Sequence, residues 1–315
     1  MVLAFYRKAE KILKRDGRGV LMVVTLHKGS SPGRQGFHLL TTEADMTGTI
    51  GGGIMEHKLV ELARSLLKTG RFDPFIKNQL HQPEAAKNRS GMICSGEQMI
   101  SFFFLDKNDL DWVASLRSEK NTHLVYSNEG IEVVFNRVTI PYFNYQSSSN
   151  WAFKMPVELQ SKAYVIGGGH VGLALCRVLS TLDFEIHLLD NRRELNTMEE
   201  NQYAHSKKTV RYEEIEKHIP EGDNIFVIII SFGYRTDKVI VKRLLSRKYF
   251  YLGMMGSQNK IDILWKELQD EGYKEEDLDR IVAPIGLDIK SETTHEIAVS
   301  IAAQLILWKN KKRQE

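Results

Sequence analysis

The chain has 315 residues, of which 42% are hydrophobic and 26% charged, and it carries only two cysteines. That length exceeds one ordinary core and sets two domains as the expectation, while the composition excludes disordered, collagen-like and disulfide-scaffold classes. The net charge of +3 is mild, and the segment KNKKRQE (309–315) reads as a solvated tail, so no nucleic-acid partner is expected.

The amino-terminal stretch MVLAFYRKAEKILKRDGRG interleaves charges with apolar residues and lacks the apolar core of a secretory signal. Residues 4–15 form a predicted amphipathic helix ended by Asp16-Gly17. VLMVVTLH (20–27) is a strand, GSSPGRQG (29–36) a loop, and GFHLLTT and MTGTIG form a hairpin around Glu43-Ala44-Asp45. From Ile54 to Leu67 the apolar residues fall on one helix face, and residues 97–140 add strands that include EQMISFFFL and IEVVF. PYFNYQSSSNWAFKMP (141–156) is the linker candidate, because two prolines bracket a Ser-Asn tract without periodicity. The expected division is 1–140, a linker at 141–160, and 161–315.

After the linker, strands alternate with helices: KAYVI, a helix over 170–181, FEIHLLD, KKTVRY, NIFVIIIS, the helix TDKVIVKRLLSR, KYFYLGMM, a helix over 258–271, RIVAPIG and a last helix. Thr293 and Glu296 form a capping box for that last helix. The alternation predicts an α/β fold with a doubly wound, mostly parallel sheet. The longest apolar run, FVIIIS (226–231), falls far short of the ~20 residues of a membrane span. A cytoplasmic, reduced protein is expected.

Two glycine triples carry the chemistry. YVIGGGHVG (164–172) satisfies G-x-G-x-x-G through Gly167, Gly169 and Gly172, with Gly168 between, after a strand and at the start of a helix. Gly167 permits the tight turn, Gly169 lets backbone amides approach a pyrophosphate, and Gly172 lets helix and strand touch. Asp190, ending the next strand, stands where it would accept from a ribose 2′-hydroxyl. Arg192 and Arg193 would instead tolerate a 2′-phosphate, so NAD and NADP both stay open. His170 sits inside the loop, where phosphate contact, catalysis and helix capping are all open roles. Cys176, one turn into the helix, reads as a small buried hydrophobe.

GTIGGGIMEH (48–57) is not a Rossmann loop, because no third glycine follows at the right spacing. Gly51, Gly52 and Gly53 still mark a strand-to-helix junction with exposed amides. Glu56 in the first turn would stabilise the helix and repel an anion, so an anion site and a plain tight turn both remain open. Cys94 is a thiol between Gly91 and Gly96, open either to a role as soft metal ligand or sulfur carrier or to being an inert thiol near a strand start. Arg34 offers a fork for phosphate or a pterin carbonyl.

The order GSSPGRQG, GTIGGGIMEH, GMICSGE (91–97), IGGGHVG, LGMMGSQNK (252–260) and PIGLDIKSETTHEIAVSIAAQLI (284–306) resembles the xanthine dehydrogenase accessory (XdhC/CoxI) family over most of the chain. The resemblance implies an amino-terminal α/β cofactor-handling domain and a carboxyl-terminal Rossmann-like domain. It also implies binding of molybdenum cofactor, a molybdopterin, and assistance in its sulfuration and insertion into a molybdenum hydroxylase client. A cysteine desulfurase is a second implied partner, and a homodimer is expected. On this reading Cys94 and His170 are the reactive residues, with Cys94 a molybdenum ligand. Ser30, Ser31, Arg34, Gly51–Gly53, Glu56, Gly167–Gly169, Gly172, Asp190, Gly256, Ser257 and Lys260 would hold the cofactor.

Several motifs depart from the family pattern. Cys94 is followed by Ser95-Gly96 rather than Gly-Gly. Ser231, Phe232 and Gly233 stand where Thr-His-Asp is usual, with only Asp237 agreeing further on. Gln258 and Asn259 replace a basic pair, leaving Lys260. Two other readings are an NAD(P)-dependent oxidoreductase and a nucleotide-binding regulatory protein. No zinc spacing and no G-x-S-x-G elbow is present.

Overall fold

A computed structural model describes residues 2–29, 31–80, 96–107, 109, 112–113, 122–136, 141–157 and 160–311. The chain divides into two compact units, Met1–Leu159 and Gln160–Glu315.

The first unit is built on an antiparallel sheet of order β3-β2-β1-β5-β4. Its strands are β1 (Arg18–Gly29), β2 (His38–Thr41), β3 (Met46–Gly48), β4 (Phe75–Leu80) and β5 (Gly96–Asp106). Alternation along β1 sorts its side chains between two cores. Val20, Met22 and Val24 pack with Met55, Leu59, Ala63 and Leu67 of helix α2 (Gly53–Thr69). Leu21 and Val23 join Tyr6 and Leu13 of α1 (Val2–Asp16) on the opposite face, together with Tyr126, Trp151 and Phe153.

Those last three residues belong to a second antiparallel sheet, β7-β6-β9-β8, formed by β6 (His123–Ser127), β7 (Gly130–Val134), β8 (Tyr142–Ser147) and β9 (Asn150–Pro156). The expected linker at 141–160 is therefore corrected. Tyr142–Ser147 and Asn150–Pro156 pair as a hairpin, and the Ser-Asn tract is its turn. The deciding signal is the period-2 burial of Trp151, Phe153 and Met155. Through this core runs a buried chain of polar groups. The Tyr6 and Tyr126 hydroxyls lie 2.8 Å apart, and His38 Nε2 lies 2.7 Å from the Tyr126 hydroxyl. Burial pushes the His38 imidazole down to about 4.

The second unit holds a parallel sheet of order β12-β11-β10-β13-β14, formed by β10 (Lys162–Ile166), β11 (Glu185–Asp190), β12 (Ser206–Thr209), β13 (Gly222–Ile229) and β14 (Tyr249–Met254). Both faces are covered, as the near-continuous apolar strands require. Val165 and Ile228 face α3 (His170–Leu179) and α6 (Thr294–Lys311). Ile166, Val227 and Ile229 face α4 (Tyr234–Leu244) and α5 (Gln258–Asp270). Strand order reverses between β10 and β13, which is where such sheets open a crevice at their carboxyl ends. RIVAPIG does not form a further strand. It makes one bridge, Gly253 with Val282, and runs along β14 through Val282 N to Leu252 O (2.9 Å) and Ile285 N to Met254 O (2.9 Å). The Thr293–Glu296 capping box forms in both directions, at 3.2 and 2.9 Å.

Candidate functional site

The loop between β10 and α3 is forced by sterics. Gly167 has φ +126°, and a Cβ there would lie 2.3 Å from Ile230 O. A Cβ on Gly172 would lie 2.1 Å from Gly167 O. Gly169 differs, since its nearest neighbour would be Arg192 Nη2 at 3.9 Å. Gly169 is the N-cap of α3, and no side chain bonds to that cap, so first-turn amides and the positive helix end face a cavity of about 670 Å³. A helix start of this kind attracts anions, with about 0.3–1 kcal/mol for an exposed charge.

The walls of the cavity include Gly169, His170, Arg192, Ser231, Phe232 and Met255. His170 is exposed at the first position of α3. Asp190 is fully buried, and its carboxylate accepts four hydrogen bonds: from Gly168 N (2.6 Å), Arg192 N (2.8 Å), Arg192 Nε (2.9 Å) and Arg192 Nη2 (2.8 Å). Burial works to raise this carboxyl's pKa, and the Arg192 and Gly168 hydrogen bonds outweigh it, leaving it below the usual range. Asp190 therefore does not present free acceptors to a ribose in this conformation; it braces the glycine loop and Arg192.

A second charged cluster starts from Ser231 of the cavity lining. Ser231 Oγ donates to Asp237 Oδ1 at 2.5 Å, and Lys260 Nζ donates to Asp237 Oδ2 and to Met255 O. Burial raises the Asp237 pKa against the opposing pull of Lys260 and Ser231. Ser257 Oγ caps α5 by accepting from Lys260 N at 3.3 Å, and Gly256 packs against Lys260. Lys260 thus reaches the cavity through Asp237 and Ser231, whereas Gly256 and Ser257 shape the helix start.

The other glycine triple lies in the first unit, and its geometry is different. Gly51, Gly52 and Gly53 have φ of +130°, +74° and +69°. The loop is pressed against residues 32–33, so a Cβ on Gly51 would lie 2.5 Å from Gly33 N. Two of its glycine amides are taken, those of Gly51 and Gly52. Glu56 Oε2 accepts from Ile50 N (2.8 Å), Gly52 N (3.0 Å) and Thr49 Oγ1 (2.6 Å), while Gly51 N donates to Thr49 Oγ1 (3.1 Å). Rather than repelling a bound anion, Glu56 occupies the anion's place. Ser31 is buried and donates to Gly33 O (3.3 Å), and Arg34 is exposed. Ser30 and Cys94 lie outside the described residues.

The thiol of Cys176 is buried, and burial pushes it up to about 11, which keeps it protonated and unsuited to metal binding. Among the described residues no group of three or more His, Cys, Asp or Glu side chains is arranged to hold a metal. No helix among them is long and apolar enough to cross a membrane.

Residues 163–305 match the profile of the XdhC Rossmann domain, and residues 12–76 match that of the XdhC and CoxI family. The chain belongs to this family. A crystal structure described as a xanthine dehydrogenase from Bacillus halodurans shares the fold, with a TM-score of 0.79 at 20% identity, covering 98% of this chain and 97% of that one. The uncharacterized Escherichia coli protein YqeB is 21% identical over 97% of this chain and 46% of its own length. A Bacillus subtilis protein described as a probable xanthine dehydrogenase subunit is 21% identical over 56% of this chain and 51% of its own. The chain thus spans about half the length of the curated relatives it matches.

Both glycine loops lie within the matched residues, and the second unit holds the family's Rossmann domain. Arg192, already offered for a 2′-phosphate, lines the cavity, and Ser231, Phe232 and Asp237 join the site although the sequence motifs did not assign them to it. Their signal was position: each follows a parallel strand's carboxyl end or opens the next helix, where α/β sheets place ligands.

Proposed function

We propose that this chain is an accessory factor that binds molybdenum cofactor and assists its sulfuration and insertion into a xanthine dehydrogenase-type molybdenum hydroxylase. The observation that carries the reading is the uncapped start of α3, which opens with Arg192 onto a cavity of about 670 Å³. A cofactor's phosphate or nucleotide end fits such a site, because backbone amides, a helix end and a guanidinium all favour phosphoryl oxygen. The family and the Bacillus subtilis relative supply the client class. Among the two thiols, Cys176 does not fit a molybdenum ligand, which leaves Cys94 for that role.

Mass spectrometry of ligand released by denaturing gently purified full-length chain tests the reading. Pterin together with molybdenum is the expected signal. NAD(P) alone would replace the reading with a nicotinamide-dependent oxidoreductase, the class favoured by the cavity's place at the strand-order reversal. Cys94→Ser should abolish retention of the molybdenum signal, and unchanged retention removes that thiol from the site.

A further inference from the structure

The Asp190–Arg192 pair sets what the cavity can recognise. In a dinucleotide fold, the acidic residue ending the second strand reads a ribose diol by accepting its hydroxyl protons. Here the acid has no acceptor position to spare: the two oxygens already take Gly168 N and three groups of Arg192. A diol would have to break a bidentate, charge-assisted pair whose carboxylate is fully buried. The guanidinium has five N–H donors and uses two on Asp190, which leaves three. Its side chain is 39% exposed and lines the cavity beside Gly169. It also lies over one face of the Phe232 ring at 5.9 Å, and Phe232, which lines the same cavity, is 83% exposed, so the other face of the ring is open.

We propose that Arg192, fixed by Asp190, is the specificity residue of this cavity, selecting an adenine nucleotide that carries a 2′-phosphate over one with a free 2′-hydroxyl. The three remaining donors meet phosphate oxygens, and Phe232 offers the purine a stacking surface. The pair's own charges nearly cancel, so the preference arises from directed hydrogen bonds and from a saturated Asp190 rather than from net charge. The proposal rests on the reading that this cavity takes a nucleotide.

Isothermal titration of the full chain with NADP+ against NAD+, and with 2′,5′-ADP against 5′-ADP, tests it. The 2′-phosphorylated member of each pair is expected to bind at least about tenfold tighter, a difference of about 1.4 kcal/mol. Arg192→Ala should invert the order, losing the 2′-phosphate contacts while freeing Asp190 for the diol of NAD+. Arg192→Lys keeps the cation but not the fork, and should retain only part of the preference if the alanine variant is unstable. Equal or tighter wild-type binding of NAD+ overturns the proposal. So does an alanine variant that weakens both nucleotides alike, or wild-type chain that binds none of the four probes. A pterin and molybdenum signal from purified protein would still stand in those cases, so the two failures are distinguishable.

Discussion

The two glycine-rich junctions start from the same composition and end as opposites. At residues 49–56 the turn amides converge on the carboxylate of Glu56, and the chain supplies its own anion. At residues 167–172 the nearest carboxylate, Asp190, takes one loop amide and is then filled by Arg192, and the start of α3 faces a cavity; neither α2 nor α3 carries a side chain on its N-cap. Glycine is needed in both for steric reasons. What differs is whether the acidic side chain stands one turn into the helix and serves the turn amides, or ends the next strand and is filled mostly by an arginine. A glycine triple therefore reports a tight backbone path, and the acid's position reports whether that path is vacant for a ligand.

The strongest way to break this contrast is to add a methyl group where backbone already stands. Gly51→Ala and Gly172→Ala, with neighbours at 2.5 and 2.1 Å, should each lower the stability of its own unit by about 3 kcal/mol. Denaturant unfolding of the full chain, followed for two transitions, reads which unit suffers; a loss below about 1 kcal/mol at either site would show that the loop relaxes.

Acid separates the two units in another way. The pKa of His38 in the folded first unit is about 4, against an ordinary 6.5, so the unfolded chain takes up its proton first. The stability that neutral His38 contributes is complete above pH 6.5 and drains away as the pH falls toward 4. It amounts to something on the order of 3 kcal/mol. Melting of wild type and His38→Gln across that window should give a shallower pH dependence for the variant, and parallel curves would remove His38 as the cause.

Opening the sealed junction is the next step down. Glu56→Ala leaves Ile50 N, Gly52 N and the Thr49 hydroxyl without their acceptor and should cost about 2 kcal/mol. Sulfate should then raise the melting temperature of the variant more than that of wild type. The same response in both proteins would mean that the amides are not a latent anion site. The smallest effect on folding is expected from Gly169→Ala, whose new methyl meets only Arg192 Nη2 at 3.9 Å. Stability should stay within about 0.5 kcal/mol, while the thermal protection given by a bound nucleotide shrinks.

Much of the second unit is legible in the sequence, because buried parallel strands are near-continuous apolar runs and α3, α4 and α5 carry a clear 3.6 period. The first unit yields α2 and the sheet strands β1, β2, β3 and β5 from the sequence, whereas the edge strand β4 (Phe75–Leu80) is not read there. Nor is the hairpin at 142–156, since its prolines and serines carry a turn signal that masks the alternation of Trp151, Phe153 and Met155. At the site, the glycines and Asp190 are readable from spacing alone. The saturation of Asp190 is not, because it depends on the Arg192 side chain folding back two residues along the chain. The Lys260–Asp237–Ser231 cluster joins residues 29 positions apart at its extremes, and only the packing of α4 and α5 on one sheet face brings them together.

The segment running beside β14 has a bearing on how this protein behaves in company. An open parallel sheet ends in a row of amides and carbonyls that invites another chain to add a strand. Val282 and Ile285 cover part of that rim, bonding to Leu252 and Met254, and Pro284 between them has no amide proton to offer an incoming backbone. A loop too irregular to count as a strand thus leaves less of that rim open to the backbone of another chain.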